Sequence, residues 1–138
     1  MLKPFDQQLF DSDNPAIDTL ISWLNAQGWS AIANPQMYGI DVLATDPDGK
    51  EWEIEVEVKH RWKGKQFPYP EVHFSARKLK FCSDNSIFVM FNDDRSMALG
   101  VRGTVVRKCQ TVQKDTVYTT DEAFISVPLT YCRFWRFK

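Results

Sequence analysis

The 138-residue chain has three cysteines, two histidines and no long apolar run. Cys82, Cys109 and Cys132 are odd in number, widely spaced and not arranged as metal-ligand pairs. They read as reduced core thiols, not as a disulfide frame or a structural zinc site. No apolar stretch approaches the roughly 18 residues needed to span a bilayer. The first residues lack a basic-then-apolar signal pattern, so the expectation is a cytoplasmic protein. No glycine-rich phosphate loop and no Ser/His/Asp arrangement is readable, which argues against a nucleotide-binding ATPase or a serine hydrolase. His60 and His73 leave little room for histidine catalysis, and His60, among basic neighbours, reads as a phosphate contact.

What is present suits one globular domain over residues 1–138, with 43% hydrophobic and 25% charged residues. The net charge of −1 hides a polarity along the chain. Residues 1–58 hold two basic and eleven acidic side chains, a net −9. Residues 59–81 hold seven basic and one acidic, a net +6. An acidic cluster followed at once by a basic one is what a site needs if it is to hold cations and a polyanion together.

Asn14-Pro15 reads as a helix start, with Ile17, Leu20, Ile21 and Leu24 recurring at helical spacing and Gly28 as the stop. A short strand is predicted near Trp29–Ala33. Ile40, Val42 and Ala44 then alternate with Asp41, Leu43 and Thr45, and Pro47-Asp48-Gly49 supplies a three-residue hairpin loop. Trp52, Ile54, Val56 and Val58 alternate in turn with Glu51, Glu53, Glu55, Glu57 and Lys59. Pairing Asp46 with Lys50 sets Ala44 against Trp52, Val42 against Ile54 and Ile40 against Val56, which gathers one apolar face from both strands. Asp41 then lies across from Glu55 and diagonal to Glu57, and diagonal neighbours stand about 7–8 Å apart.

Residues 60–73 read as a loop whose aromatics, Trp62, Phe67 and Tyr69, either anchor it to the core or stack on bases. Ser75 is a helix cap, with Ala76, Leu79 and Cys82 inward and Arg77, Lys78 and Lys80 outward. Ile87-Phe88-Val89-Met90-Phe91 suits a strand buried on both faces. Met97–Val101, Thr104–Val106, Val117–Thr119 and Phe124–Val127 read as further strands or edges, and the tail as an edge strand burying Phe134 and its neighbours, with stacking on nucleic acid as the alternative.

A face of glutamates at every second position is tolerable when solvated. An aspartate from the partner strand and a lysine ending the same face point further. Hard divalent ions such as Mg²⁺ or Mn²⁺ take carboxylate and carbonyl oxygens. Asp41, Glu57 and the Val58 backbone carbonyl are candidate ligands for one such ion, which would polarise a phosphate and activate a water. The alternation alone leaves Glu55 as a competing ligand. Lys59 would offset charge developing on phosphorus, and the basic loop of His60, Arg61, Lys63 and Lys65 would contact neighbouring phosphates.

Gly39-Ile40-Asp41, a hairpin and Glu57-Val58-Lys59 resemble the PD-(D/E)xK nucleases, which include restriction endonucleases, Holliday junction resolvases and phage and repair nucleases. The resemblance spans roughly residues 14–91, with Ile40 standing where the family name has proline. It implies an α/β fold with a central mixed sheet flanked by helices, in a restriction endonuclease-like core. It also implies Asp41 and Glu57 as metal ligands, Lys59 as catalytic lysine and Asp18 as an acidic residue of the first helix near the metal. The basic helix carrying Arg77, Lys78 and Lys80 would face nucleic acid. The expected activity is metal-dependent hydrolysis of DNA phosphodiesters by a structure-selective or repair-type endonuclease, with RNA left open and a homodimer as one arrangement. The alternatives are a catalytically inactive nucleic-acid-binding protein on the same fold and an unrelated α/β interaction domain.

Overall fold

A computed structural model describes residues 7–36, 39–114 and 122–137, with the backbone alone for 7–13 and 114. The predicted hairpin is its organising element. Asp46 N–H donates to Lys50 O at 2.8 Å, and Gly49 takes φ 88°, the left-handed position the turn requires. Strand β2 (Val42–Thr45) pairs antiparallel with β3 (Glu51–Val58) in the expected register, Val42 with Ile54 and Ala44 with Trp52. Strand β1 (Ser30–Ala33) flanks β2, as the short apolar stretch suggested.

After β3 the chain leaves the sheet, forms β4 (Glu71–Ser75) and a 3₁₀ helix (Ala76–Phe81), and returns as β5 (Ser86–Phe91). Strand β5 runs parallel to β3 and carries β6 (Met97–Arg102) on its other side. A helical turn, Gly103–Val106, leads to β7 (Gln110–Lys114), β8 (Glu122–Pro128) and β9 (Arg133–Arg136). The main sheet has the mixed order β1-β2-β3-β5-β6-β9, and a small antiparallel sheet has the order β4-β8-β7.

Helix α1 (Gln7–Ala26) packs Leu20 and Leu24 on Ala44, Trp52, Ile54, Val56, Val89 and Phe91. The opposite face of the main sheet, through Phe88, Met90, Leu99 and Val101, packs on Val72, Phe74, Ile125 and Val127 of the small sheet. The alternation of β5 residues between these two cores bears out a strand buried on both sides. The class is α/β with a mixed central sheet. Its second face is covered mainly by a small sheet, where helices were expected.

Several local expectations change. Helix α1 begins well before Asn14-Pro15, so Pro15 lies inside it. Its missing N–H leaves one helical bond unmade, and Thr19 Oγ1 donates to Pro15 O at 2.9 Å. Residues 104–106, expected as strand, lie in the helical turn. The 60–73 loop ends in a strand, since Val72 and Phe74 point into the core and Glu71 and His73 away from it. The tail forms the expected edge strand, β9, but it is Trp135 that packs on the core while Phe134 is exposed. Val117–Thr119 lies outside the described residues. Trp62 and Phe67 are buried and anchor their loop, while Tyr69 stays exposed.

Gly100 on β6 lies under the Trp135 ring, and a Cβ there would overlap it. Trp135 in turn packs on Trp23 of α1, with centroids 5.7 Å apart. Gly100→Ala is therefore expected to destabilise the fold by about 1–3 kcal/mol, as overpacked sites do, measured as a lower urea midpoint.

Candidate active site

Strand β3 runs four residues, Glu55 to Val58, beyond its last pair with β2, and the site forms in that step. Beyond β2 the Val56 N–H has no strand partner on that side, and Asp41 Oδ2 accepts it at 2.8 Å. The Asp41 backbone is fixed in turn, its carbonyl accepting from Asn34 N–H at 2.9 Å. Asn34 Nδ2 also donates to Ile40 O at 2.7 Å. Asp41 is thus held at the edge of β3 from two sides.

The glutamate face of β3 divides in the middle. Glu51 and Glu53 are exposed, as a solvated acidic face would be. Glu55 is only 7% exposed, level with Phe88 of β5 and under the small sheet. Burial pushes its carboxyl up to about 9, and Asp41 and Glu57 push the same way against an opposing Lys78. At neutral pH Glu55 therefore keeps its proton and shares a hydrogen bond with Asp41. Its other oxygen, Oε2, is buried with no partner. Such an orphan costs desolvation energy without return unless a ligand uses it.

Lys78 completes the cluster, and it comes from the face expected to be outward. An α-helix would set Lys78 with its basic neighbours, but this segment is 3₁₀. At three residues per turn Ser75, Lys78 and Phe81 share a face, and Leu79 turns to solvent. Lys78 Nζ donates to Glu57 Oε2 at 2.8 Å, with side chains 24% and 25% exposed. The Glu57 carboxylate holds the Lys78 ammonium above the ordinary lysine range despite its burial. Lys59 lies at the open end of the site. Burial draws its ammonium below the ordinary range, Glu57 opposes that and Arg61 adds to it.

The remaining predicted residues scatter. Asp18 is exposed on α1, in a shallow depression with Thr19, Ser22, Trp23 and Phe137, and the structure does not bring it to the carboxylates. Helix α1 packs on the other face of the main sheet, so the first-helix acid of the resemblance has no counterpart at Asp18. Val58 is the last residue of β3, with its side chain against the helix-side core. His60 and Lys63 both bind Asp93, at 2.9 and 2.7 Å, and their hydrogen bonds draw its carboxyl below the usual range. Arg77 reaches Glu122 at 3.6 Å, while Arg61, Lys65 and Lys80 are exposed. Cys82, Cys109 and Cys132 are free and half-buried.

Among the described residues no three His, Cys, Asp or Glu side chains form a ready-made metal cage. The donor set still fits a hard divalent ion. Mg²⁺ is commonly held by one or two carboxylates, its other positions filled by water and substrate phosphate. Asp41 and Glu55, whose Oε2 has no other partner, are two such carboxyl groups. No helix among the described residues is long and apolar enough to cross a membrane. Comparisons with protein-family models, curated proteins and solved structures found no match.

Proposed function

We propose that this chain is a metal-dependent nuclease of the PD-(D/E)xK kind, with a restriction endonuclease-like core and DNA phosphodiesters as substrate. One observation carries the reading: buried Glu55 keeps its proton beside half-buried Asp41 and holds an unpartnered oxygen, with the Lys78 ammonium and the Glu57 carboxylate close by. Three acidic groups gathered around one buried cation are a costly structural element, and such clusters occur where a metal and a reaction require them. Asp41 and Glu55 would hold Mg²⁺ or Mn²⁺, with Glu57 or the Val58 carbonyl as a further ligand.

When bound, the ion would polarise the phosphodiester and stabilise charge on the leaving oxygen. The protein's own groups prepare for this. Asp41 is fixed by the Val56 N–H and by its hydrogen bond with Glu55, so its carboxylate is oriented before any ligand arrives. Glu55 must give up its proton to serve as a ligand. Lys78 can move from Glu57 to a phosphate oxygen, and Lys59 can meet the negative charge that develops on phosphorus. Arg61 and Lys65 would contact adjacent phosphates. The competing reading is a non-catalytic nucleic-acid-binding protein, favoured by the Lys78–Glu57 ion pair, which already neutralises part of the acidic cluster.

Incubation with plasmid, linear and branched DNA in Mg²⁺, Mn²⁺ or EDTA tests the proposal. Cleavage is expected with either ion, none in EDTA, and a loss of about a thousandfold or more in Asp41→Ala. Binding without cleavage under every condition would favour the competing reading.

A further inference from the structure

Beyond the carboxylates, the continuation of β3 opens into a cleft of about 430 Å³ between the 60–70 loop and β4. Its lining combines two cations, Lys59 and Arg61, with Tyr69 and Pro70 of the loop and Glu71 and His73 of β4. The loop side is rigid. The Tyr69 ring, 39% exposed, meets Phe67 at 5.8 Å and 72°, and buried Phe67 meets fully buried Trp62 at 5.1 Å and 80°. Lys59 Nζ lies over the Tyr69 ring, 5.3 Å from its centroid, so a base that stacks there displaces the ammonium from the ring toward its own phosphate. Glu71 accepts a hydrogen bond from the Ser126 hydroxyl, which fixes its carboxylate.

We infer that this cleft binds a single unpaired nucleotide, its base stacked on Tyr69, its phosphate between Lys59 and Arg61, and its exocyclic amino edge toward Glu71. Each part of the lining matches one part of that ligand. An exposed aromatic beside cations is a stacking platform with an electrostatic guide. A carboxylate accepts from an amino group such as that of cytosine. The volume falls in the range of small-ligand sites and does not admit a duplex. In a duplex the faces of a base are covered by its neighbours and its edge by its partner. Only a single strand, flap, bulge or splayed junction can therefore present a base to Tyr69.

Lys59 is two residues from Glu57, about 7 Å along the strand, so the bound nucleotide would adjoin the carboxylate site. The inference deepens the nuclease reading and rests on it for the position of the scissile bond. Capture of the nucleotide does not depend on that reading.

The test is equilibrium binding in EDTA, where cleavage plays no part. The probes are a short DNA strand carrying a fluorescent adenine analogue, the same strand as RNA, and a blunt DNA duplex. The expected result is quenching of the analogue and single-strand binding about tenfold or more tighter than duplex binding. Tyr69→Ala should lose about tenfold on the single strand and nothing on the duplex, while Tyr69→Phe keeps native affinity. Preference for the DNA or the RNA strand identifies the sugar, and either supports the inference. Equal affinity for strand and duplex overturns it, as does a Tyr69→Ala effect that is absent or the same on both. Cleavage without single-strand preference would keep the nuclease reading and reject the cleft. Single-strand capture without cleavage in any metal would do the reverse.

Discussion

Glu55→Gln is expected to abolish cleavage and at the same time stabilise the fold. In the unfolded chain Glu55 ionises near its ordinary value of 4.5, whereas burial in the fold holds the proton until about pH 9. Between those limits the folded state binds a proton that the unfolded state has released, so stability falls as pH rises, by about 1.4 kcal/mol per unit. At pH 7 the cost is roughly 3 kcal/mol. Below the ordinary value both states are protonated and the cost vanishes. Glutamine is neutral at every pH and keeps an N–H to offer Asp41, so it escapes that cost. Urea unfolding in EDTA at pH 5 and pH 8 would show it, as a stability advantage of Glu55→Gln that grows with pH. An advantage independent of pH would mean that Glu55 ionises normally. A neutral amide is a poor ligand for a divalent cation, and the loss of cleavage should reach about a thousandfold. The same residue would thus weaken the fold and supply the activity.

Lys78→Met should be the most destabilising substitution at the site. Lys78 is the cation bound to Glu57, and both side chains are three-quarters covered. Removing one member of such a pair strands the other, at a cost of about 3 kcal/mol where the pair is well buried. Methionine keeps most of the volume, so the loss reports charge and not packing. A divalent ion should substitute for the missing ammonium. Mg²⁺ or Mn²⁺ would then raise the melting temperature of Lys78→Met more than that of the native chain, because Lys78 no longer competes for the carboxylates. Pairing it with Glu57→Gln should recover most of the lost stability in EDTA. If Lys78→Met melts like the native chain, the ion pair carries no weight in the fold.

The hairpin was legible because turn chemistry and alternation agree. Pro47-Asp48-Gly49 sets the loop, and only one register gathers Ile40, Val42, Trp52 and Ile54 on one face. That register already placed Glu55, not Glu57, opposite Asp41; the spacing to Lys59 alone pointed to Glu57. What alternation could not reveal is which glutamates another layer would cover. That depends on the small sheet, whose strands are short and distant in sequence, although Val72 and Phe74 alternate with Glu71 and His73 plainly enough to have marked β4. A helical period of 3.6 turns Lys78 outward, whereas the chain forms a 3₁₀ helix, and that one change of period reverses which side chain turns inward. Asn14-Pro15 has the residues of a helix start, yet α1 begins at Gln7 and runs through it.

The carboxylate site is tested most directly by calorimetry of Mn²⁺ binding at pH 7 in buffers of different ionisation enthalpy. If Asp41 and Glu55 receive the ion, Glu55 must release its proton on binding. The native chain should then release about one proton per ion bound, and Asp41→Ala should lose the binding. Proton-neutral binding, or binding of equal strength in Asp41→Ala, would contradict the assignment of this pair as the metal centre.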